Sequence, residues 1–241
     1  MRAPRLASII PASITLALTI LAFAGLTSAQ AHVSFPAPDG YRLNADLYGD
    51  GIRAAILVHG GRFSKESWKK QAQVLADSGF RVLALDFRGY GQTKDGQTKA
   101  GTNTADDNSY PDVLTAVRYL HSTGSNSVSI VGASMGGDAT ADAVIAERPG
   151  EIDRVIFLGS AGGDAPERLA AHLKVRKLFI VSRNDESGDG PRLPKISDHY
   201  RRAPEPKKLV ILDGSAHAQF IFDTDQGSRL MEEIQRFLSE P

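Results

Sequence analysis

One serine stands where a catalytic nucleophile would be expected. Ser134 lies in the stretch GASMG (132–136), between a run of β-branched and apolar residues (SVSIV, 127–131) and a segment with helical spacing. A hydroxyl that attacks a carbonyl must project from the carboxyl edge of a sheet, and a sharp strand-to-helix turn flanked by glycines achieves this. The turn also directs the free N–H groups at the start of the helix towards the reacting atom, where they can stabilise an oxyanion. The stretch therefore predicts nucleophilic catalysis by Ser134.

The pentapeptide G-x-S-x-G is a weak signal when it is taken alone. At the average frequency of glycine it should occur by chance in roughly one chain in ten of this length. A glycine-rich turn that only packs a helix on a strand is the alternative interpretation. The strand before Ser134 and the helix after it strengthen the prediction, because this type of nucleophile requires that context.

A serine hydroxyl needs a general base, and the base needs an acid that orients it. His217 follows the last predicted strand within a loop of small residues (GSAHA, 214–218), where an imidazole could reach the edge of the sheet. It is the predicted base, and an exposed histidine that titrates freely is the alternative. Four other histidines are interpreted as structural or as lying on predicted helices: His59, His121, His172 and His199.

Three acidic residues follow the next-to-last predicted strand and could orient the base: Asp185, Glu186 and Asp189. Asp185 is nearest the end of the strand and is the preferred acid. The resulting chain order of serine, aspartate and histidine is the one that accompanies a G-x-S-x-G turn.

The elements that must position these side chains alternate between short apolar runs and segments of helical spacing. Runs that are apolar on both faces are typical of buried parallel strands, and their alternation with helices predicts a mostly parallel sheet covered on both faces. Alternating segments around Asp39 and Gly40 predict an N-terminal antiparallel hairpin. The polar segment 91–109 is predicted to be a loop, either functional or simply solvated. The strands are predicted at 54–60, 81–87, 127–133, 154–160, 177–182 and 208–214. The helices are predicted at 66–78, 109–122, 135–147, 164–173, 191–202 and 224–239.

The composition is that of a globular protein with one domain. The chain has 241 residues, of which 41% are hydrophobic and 23% are charged, enough for one sizeable core. Its 28 basic residues balance its 28 acidic residues, so the charge predicts neither a nucleic-acid partner nor an anionic membrane surface. The sequence contains no cysteine, which excludes a thiol nucleophile, disulfides and thiolate metal sites.

The N-terminal segment has the pattern of a secretory signal peptide. Arg2 and Arg5 precede an apolar run at 6–26, which is followed by an A-x-A pattern that ends at Ala31. We expect residues 1–31 to be removed after Ala31 during export.

The remaining residues, 32–241, are then a single domain, secreted or periplasmic and with no attachment to a membrane. Because the apolar run is longer than usual and contains Pro11, an uncleaved membrane anchor is the alternative.

Over essentially the whole of residues 32–241, the sequence resembles the α/β-hydrolase superfamily. The motifs that carry the resemblance occur in order: HGG (59–61), DFRGYGQT (86–93), GASMGG (132–137), SRND (182–185) and GSAH (214–217). The resemblance implies an eight-stranded, mostly parallel sheet and no cofactor. It also implies that the backbone N–H groups of Gly61 and Met135 form the oxyanion hole.

Single positions narrow the chemistry within that superfamily. Haloalkane dehalogenases use an aspartate nucleophile, and dienelactone hydrolases, which are similar to this chain in size, use a cysteine, whereas position 134 is serine. Members with a lid usually insert a long segment after the sixth strand. Residues 161–176 leave room there for only one short helix, so we expect no cap domain and an open pocket.

Two further groups of residues have less specific interpretations. Asp86, Arg88 and Gly89 are interpreted as a structural turn. Arg62 follows the predicted oxyanion loop and could contact an anionic substrate, although exposed arginines without such a role are common.

Together these features predict a serine hydrolase of the carboxylesterase type. It would cleave small or accessible carboxylic esters through an acyl-enzyme on Ser134, with His217 as the base and Asp185 as the acid. Its partner would be a small-molecule ester. Cleavage of amides or peptides by the same three residues, and a binding module without catalysis on the same fold, are the alternatives.

Overall fold

The computed structural model describes residues 30–94, 109–163 and 174–240. Its strands are β1 (Ala31–Pro36), β2 (Arg42–Tyr48), β3 (Arg53–Val58), β4 (Arg81–Asp86), β5 (Ser127–Ala133), β6 (Arg154–Leu158), β7 (Arg176–Ser182), β8 (Glu186–Ser187), β9 (Gly190–Pro191) and β10 (Lys207–Leu212). Its α-helices are α1 (Lys69–Asp77), α2 (Tyr110–Ser122), α3 (Met135–Ala146), α4 (Arg192–Arg202) and α5 (Gly227–Ser239). Short 3₁₀ helices span Lys65–Trp68, Gly91–Lys94 and Ala218–Asp223.

Eight of the described strands form one sheet in the order β1-β2-β4-β3-β5-β6-β7-β10. The strands from β4 to β10 in this order run parallel, while β1 and β2 form an antiparallel hairpin whose second strand pairs antiparallel with β4. Leu158 of β6 pairs with Ala133 of β5 and with Ile180 of β7, so these strands end at the same edge. Loops that follow parallel strands are thereby brought together.

Helices cover both faces of the sheet. On β3, Ile56 and Val58 belong to the core under α2, α3 and α4, while Leu57 between them belongs to the core under α1 and α5. Alternate side chains of a strand point to opposite faces, so a strand buried on both sides must be apolar throughout. This is why the sequences of the central strands are continuous apolar runs.

The structure confirms the predicted eight-stranded, mostly parallel sheet, its N-terminal hairpin and helices on both faces. The six predicted strands and five of the six predicted helices are present, with ends that differ by at most three residues. The helix predicted at 164–173, most of the predicted loop at 91–109 and all but the end of the predicted signal peptide lie outside the described residues. Among the described residues, no helix combines the length and hydrophobicity needed to cross a bilayer.

The structural interpretation of the turn after β4 agrees with its contacts. The buried carboxylate of Asp86 accepts the backbone N–H groups of Lys65 and Gln92, at 2.8 and 2.9 Å. Arg88 forms ion pairs with Asp112 and Asp39. These bonds tie β4 to the 3₁₀ helix before α1, to α2 and to the N-terminal hairpin.

Lys177, at the start of β7, is a buried basic residue whose ammonium group has little to replace its lost hydration. Its side chain is 0% exposed, and its ammonium group donates a hydrogen bond to the carbonyl of Val175 at 2.6 Å. Burial lowers the pKa of Lys177 to about 8, because an ammonium ion loses hydration in an apolar interior.

We expect Lys177→Met to stabilise the protein at pH 7 by about 2 kcal/mol. The folded-state pKa lies below the ordinary value of 10.5, so wild-type stability should rise relative to the variant between about pH 8 and pH 10.5. Urea unfolding at pH 7 and pH 10 measures both effects, with Lys208→Met, at a half-buried lysine near the start of β10, as the control. If the free energies of unfolding of wild type and Lys177→Met differed by the same amount at both pH values, this account would be contradicted.

Candidate active site

Ser134 occupies a strained turn between β5 and α3. Its φ of 50° and ψ of −120° lie in a region that residues with a side chain rarely adopt. A Cβ atom at Gly132 would lie 2.4 Å from the carbonyl oxygen of Gly136, and one at Gly136 would lie 2.7 Å from the carbonyl oxygen of His59. Glycine is therefore required on both sides of Ser134, as the sequence predicted.

Three side chains that are distant in sequence form one hydrogen-bonded chain. The Nε2 atom of His217 lies 2.8 Å from Oγ of Ser134, and its Nδ1 atom lies 2.7 Å from Oδ2 of Asp185. Asp185 is 1% exposed and acts only as an acceptor when ionised, so Nδ1 carries the proton. The lone pair on Nε2 then faces the serine hydroxyl, which is the arrangement required of a general base.

Hydrogen bonds between two loops hold the acid and the base together. The hydroxyl of Ser182, at the end of β7, donates to the carbonyl of Ala216 at 2.7 Å. The N–H of Asn184 donates to the carbonyl of Gly214 at 3.0 Å. Because β7 and β10 are adjacent and parallel, their following loops lie side by side and can exchange these bonds.

The ribbon of β8 and β9 connects the acid to α4. Its strands pair antiparallel, and Arg192 at the start of α4 donates its N–H to the carbonyl of Asp185 at 2.8 Å. The Nε atom of Arg192 lies 3.4 Å from Oδ1 of Asp185, the oxygen that faces away from His217. The other two candidate acids, Glu186 and Asp189, are exposed on this ribbon. Of the three candidates, Asp185 is the one that the structure places against the imidazole.

The two residues expected to supply oxyanion donors lie beside the serine. Gly61 and Met135 line the same cavity as Ser134, and a Cβ atom at Gly61 would lie 3.7 Å from Sδ of Met135. Met135 is the first residue of α3, so its N–H has no acceptor within the helix. The placement is compatible with the predicted donor pair.

A cavity of about 660 Å³ opens onto Ser134. Polar and apolar groups both line it, and its apolar part is largely aromatic, formed by Phe63, Tyr90, Met135 and Phe220. The rings of Phe63 and Phe220 lie 4.9 Å apart, and Phe220 is 42% exposed. Three charged residues also line the cavity: Arg62, Glu186 and Arg192. Arg62, predicted as a possible substrate contact, is thus exposed at this cavity.

His59 is buried behind the cavity and has the structural role that the sequence analysis gave it. Its Nδ1 atom donates to the carbonyl of Gly60 at 2.9 Å, and its Nε2 atom accepts the N–H of Phe87 at 3.4 Å. Burial lowers the pKa of His59 to about 4, so the ring is neutral at pH 7. It holds the loop after β3 in place.

Gln219 is a site residue that the sequence analysis missed. It lies two residues after His217, is 5% exposed, and accepts the N–H of Gly60 at 2.8 Å through Oε1. Its Nε2 atom donates to Oγ of Ser67 at 2.7 Å.

Within the described residues, no group of three or more His, Asp or Glu side chains is arranged to hold a metal ion.

Comparison with known proteins adds family and fold relationships. A family model described as serine aminopeptidase, S33, matches residues 52–183, which are 132 of the 241 residues. The dihydrolipoyllysine-residue acetyltransferase component of the acetoin cleaving system of Cupriavidus necator is 30% identical over 143 residues. That match covers 59% of this chain and 36% of the relative, so the chain spans little more than a third of this curated protein.

Solved structures resemble this chain over nearly their whole length. An esterase from Pyrococcus furiosus matches with a TM-score of 0.68 at 19% identity, covering 88% of this chain and 92% of that chain. A dienelactone hydrolase from Anabaena variabilis matches with a TM-score of 0.71 at 22% identity, covering 87% and 96%. At these identities the likeness is one of fold.

The contacts of the acid lead to a test that separates it from its neighbours. We expect Asp185→Asn to lower the kcat for ester hydrolysis by about 10³- to 10⁴-fold, because an amide favours the wrong histidine tautomer. Asp189→Asn, the same substitution on the exposed ribbon, should stay within about threefold of wild type. Steady-state kinetics on a p-nitrophenyl ester measures both, and equal losses in the two variants would reject Asp185 as the acid.

Proposed function

Since the chain belongs to the family described as serine aminopeptidase, S33, and has the α/β-hydrolase fold, we propose that it cleaves small or accessible carboxylic esters as a serine hydrolase. The observation that carries this proposal is the hydrogen-bonded chain from Asp185 through His217 to Ser134, placed at the mouth of a cavity. Structural neighbours named as esterases support the ester as the substrate class.

The proposed reaction proceeds through an acyl-enzyme. Oγ of Ser134 attacks the ester carbonyl while Nε2 of His217 removes its proton. The negative charge that develops on the carbonyl oxygen is held by the N–H groups of Gly61 and Met135. His217 then gives its proton to the leaving alcohol. Water, activated by the same imidazole, hydrolyses the acyl-enzyme and restores the serine.

Asp185 remains ionised throughout this cycle and stabilises the imidazolium form of His217. Its buried position makes the interaction strong, because few water molecules compete for its oxygens. The ion pair with Arg192 offsets part of the cost of burying the carboxylate.

The shape of the site favours small substrates. The cavity of about 660 Å³ falls within the range typical of small-molecule sites. Between β6 and β7 the chain has room for a short segment only, since β6 ends at Leu158 and β7 begins at Arg176. An ester with an apolar group could therefore enter directly from solvent and pack against the aromatic part of the lining.

We expect Ser134→Ala to fold like the wild type and to lose at least about 10³-fold in kcat/KM on p-nitrophenyl acetate and butyrate. A fluorophosphonate probe, which reacts only with an activated serine, should label the wild type and not the variant. Ser122→Ala, a similar change at the far end of α2, should keep both activity and labelling. Equal labelling of wild type and Ser134→Ala would reject the proposed nucleophile, and an unlabelled wild type would favour a binding module.

A second candidate, removal of the N-terminal residue from a peptide, is favoured by two observations. The matching family is described as a serine aminopeptidase. The exposed carboxylate of Glu186 also lines the cavity, where it could pair with the ammonium group of a peptide N-terminus. The same nucleophile would then attack an amide, and His217 would protonate the leaving amine.

Side-by-side kinetics on aminoacyl p-nitroanilides and on p-nitrophenyl esters distinguishes the two candidates. Our proposal predicts that kcat/KM for the ester exceeds that for the anilide of matched acyl group by more than about 10³-fold. If the enzyme were an aminopeptidase, Glu186→Gln would raise the KM for anilides about tenfold or more and leave the simple esters unchanged. A KM effect confined to the anilides would identify the protein as an aminopeptidase and overturn the esterase proposal.

A further inference from the structure

The proposed chemistry requires two loops to keep a fixed separation. One follows β3 and carries Gly61, and the other follows β10 and carries His217. In the sheet, β5, β6 and β7 lie between β3 and β10. The strands β3 and β10 therefore share no ladder of backbone hydrogen bonds, and a direct link between the oxyanion donor and the base must come from other contacts.

The amide of Gln219 spans this gap. Its Oε1 atom accepts the N–H of Gly60, and its Nε2 atom donates to Oγ of Ser67, which in turn donates to the carbonyl of Ser64 at 2.6 Å. The orientation of the amide follows from its partners, because a backbone N–H can only donate. With 5% of its surface exposed, Gln219 makes these bonds away from competing water.

Hydrogen bonds on both sides of Gly60 fix the direction of the Gly61 N–H. That N–H belongs to the peptide plane whose carbonyl is that of Gly60, and the two point in opposite directions across a trans peptide. The carbonyl of Gly60 accepts from Nδ1 of His59 at 2.9 Å and from the N–H of Phe63 at 3.0 Å. With the N–H of Gly60 held by Gln219, both sides of this residue are anchored. Glycine would otherwise be free to rotate.

Gln219 is also rigidly linked to the base. Only Ala218 separates it from His217, and the N–H of Phe220 donates back to the carbonyl of His217 at 3.0 Å. Ala218 has a φ of 48°, and Gly159 approaches it so closely that a Cβ atom there would lie 3.0 Å from Cβ of Ala218. The backbone of Gln219 therefore keeps a fixed position relative to His217.

We propose that Gln219 is a positioning residue of the reaction, which holds the Gly61 N–H in register with His217 and Ser134. This inference rests on the proposed function. It assigns Gln219 an effect on the transition state alone, because the oxyanion forms only after attack and the ground-state ester makes little use of the donor.

Gln219→Met removes both hydrogen bonds with little change in volume, and Gln219→Glu keeps an acceptor for the Gly60 N–H. We expect Gln219→Met to lower kcat on p-nitrophenyl butyrate by about 10- to 100-fold with KM within about threefold, as for a misplaced oxyanion donor. The affinity for an alkyl boronic acid, which forms a tetrahedral adduct on serine, should fall by a similar factor. Gln219→Glu should recover most of both losses.

Three results would overturn the inference: an unchanged kcat in Gln219→Met, a loss confined to KM, or a loss of kcat without a loss of boronic acid affinity. Thermal unfolding of each variant shows whether the fold is intact. If Gln219→Met does not fold, Ser67→Ala removes only the acceptor of the Gln219 Nε2 hydrogen bond and should give a smaller loss of the same kind. A wild type without esterase activity or Ser134 labelling would instead refute the proposed function, and this inference with it.

Discussion

The hydrogen bonds on the two sides of the His217 imidazole are the contacts on which the site depends. The ring joins Ser134, which is 83 residues away in sequence, to Asp185, which is 32 residues away. Only the parallel arrangement of β5, β7 and β10 brings the loops after these strands to one edge. The apolar burial of the sheet thus supplies the free energy that holds the imidazole within 3 Å of both the serine hydroxyl and the aspartate carboxylate.

Backbone strain is concentrated next to these same contacts. Among the described residues, the non-glycine positions with positive φ are Ser134 and Ala218, each of which costs on the order of 1–3 kcal/mol. One is the proposed nucleophile, and the other links the base to Gln219. Such strain persists only where the surroundings determine the conformation, and here the close glycine contacts and the hydrogen bonds of Gln219 do so. The site is therefore rigid before any substrate binds.

The sequence allowed the sheet and the three polar side chains to be predicted, because both leave local signals. Buried parallel strands appear as short apolar runs; Ser134 lies directly after one such run, and His217 lies a few residues after another. The sequence favoured Asp185 over Glu186 and Asp189 because it is nearest the end of its strand, and in the structure the ribbon of β8 and β9 turns the latter two residues towards solvent. Gln219 could not be identified in this way, because a bond between loops on non-adjacent strands has no periodicity or spacing in the sequence. Its position two residues after the base was the available signal.

A crystal structure of the protein after reaction with a fluorophosphonate tests the central claim most directly, since the adduct mimics the tetrahedral intermediate. The account predicts phosphorus bonded to Oγ of Ser134, with one phosphoryl oxygen about 3 Å from the N–H groups of both Gly61 and Met135. The imidazole of His217 should remain hydrogen-bonded to Asp185. Phosphorus on any other residue, or a phosphoryl oxygen directed away from both N–H groups, would contradict it.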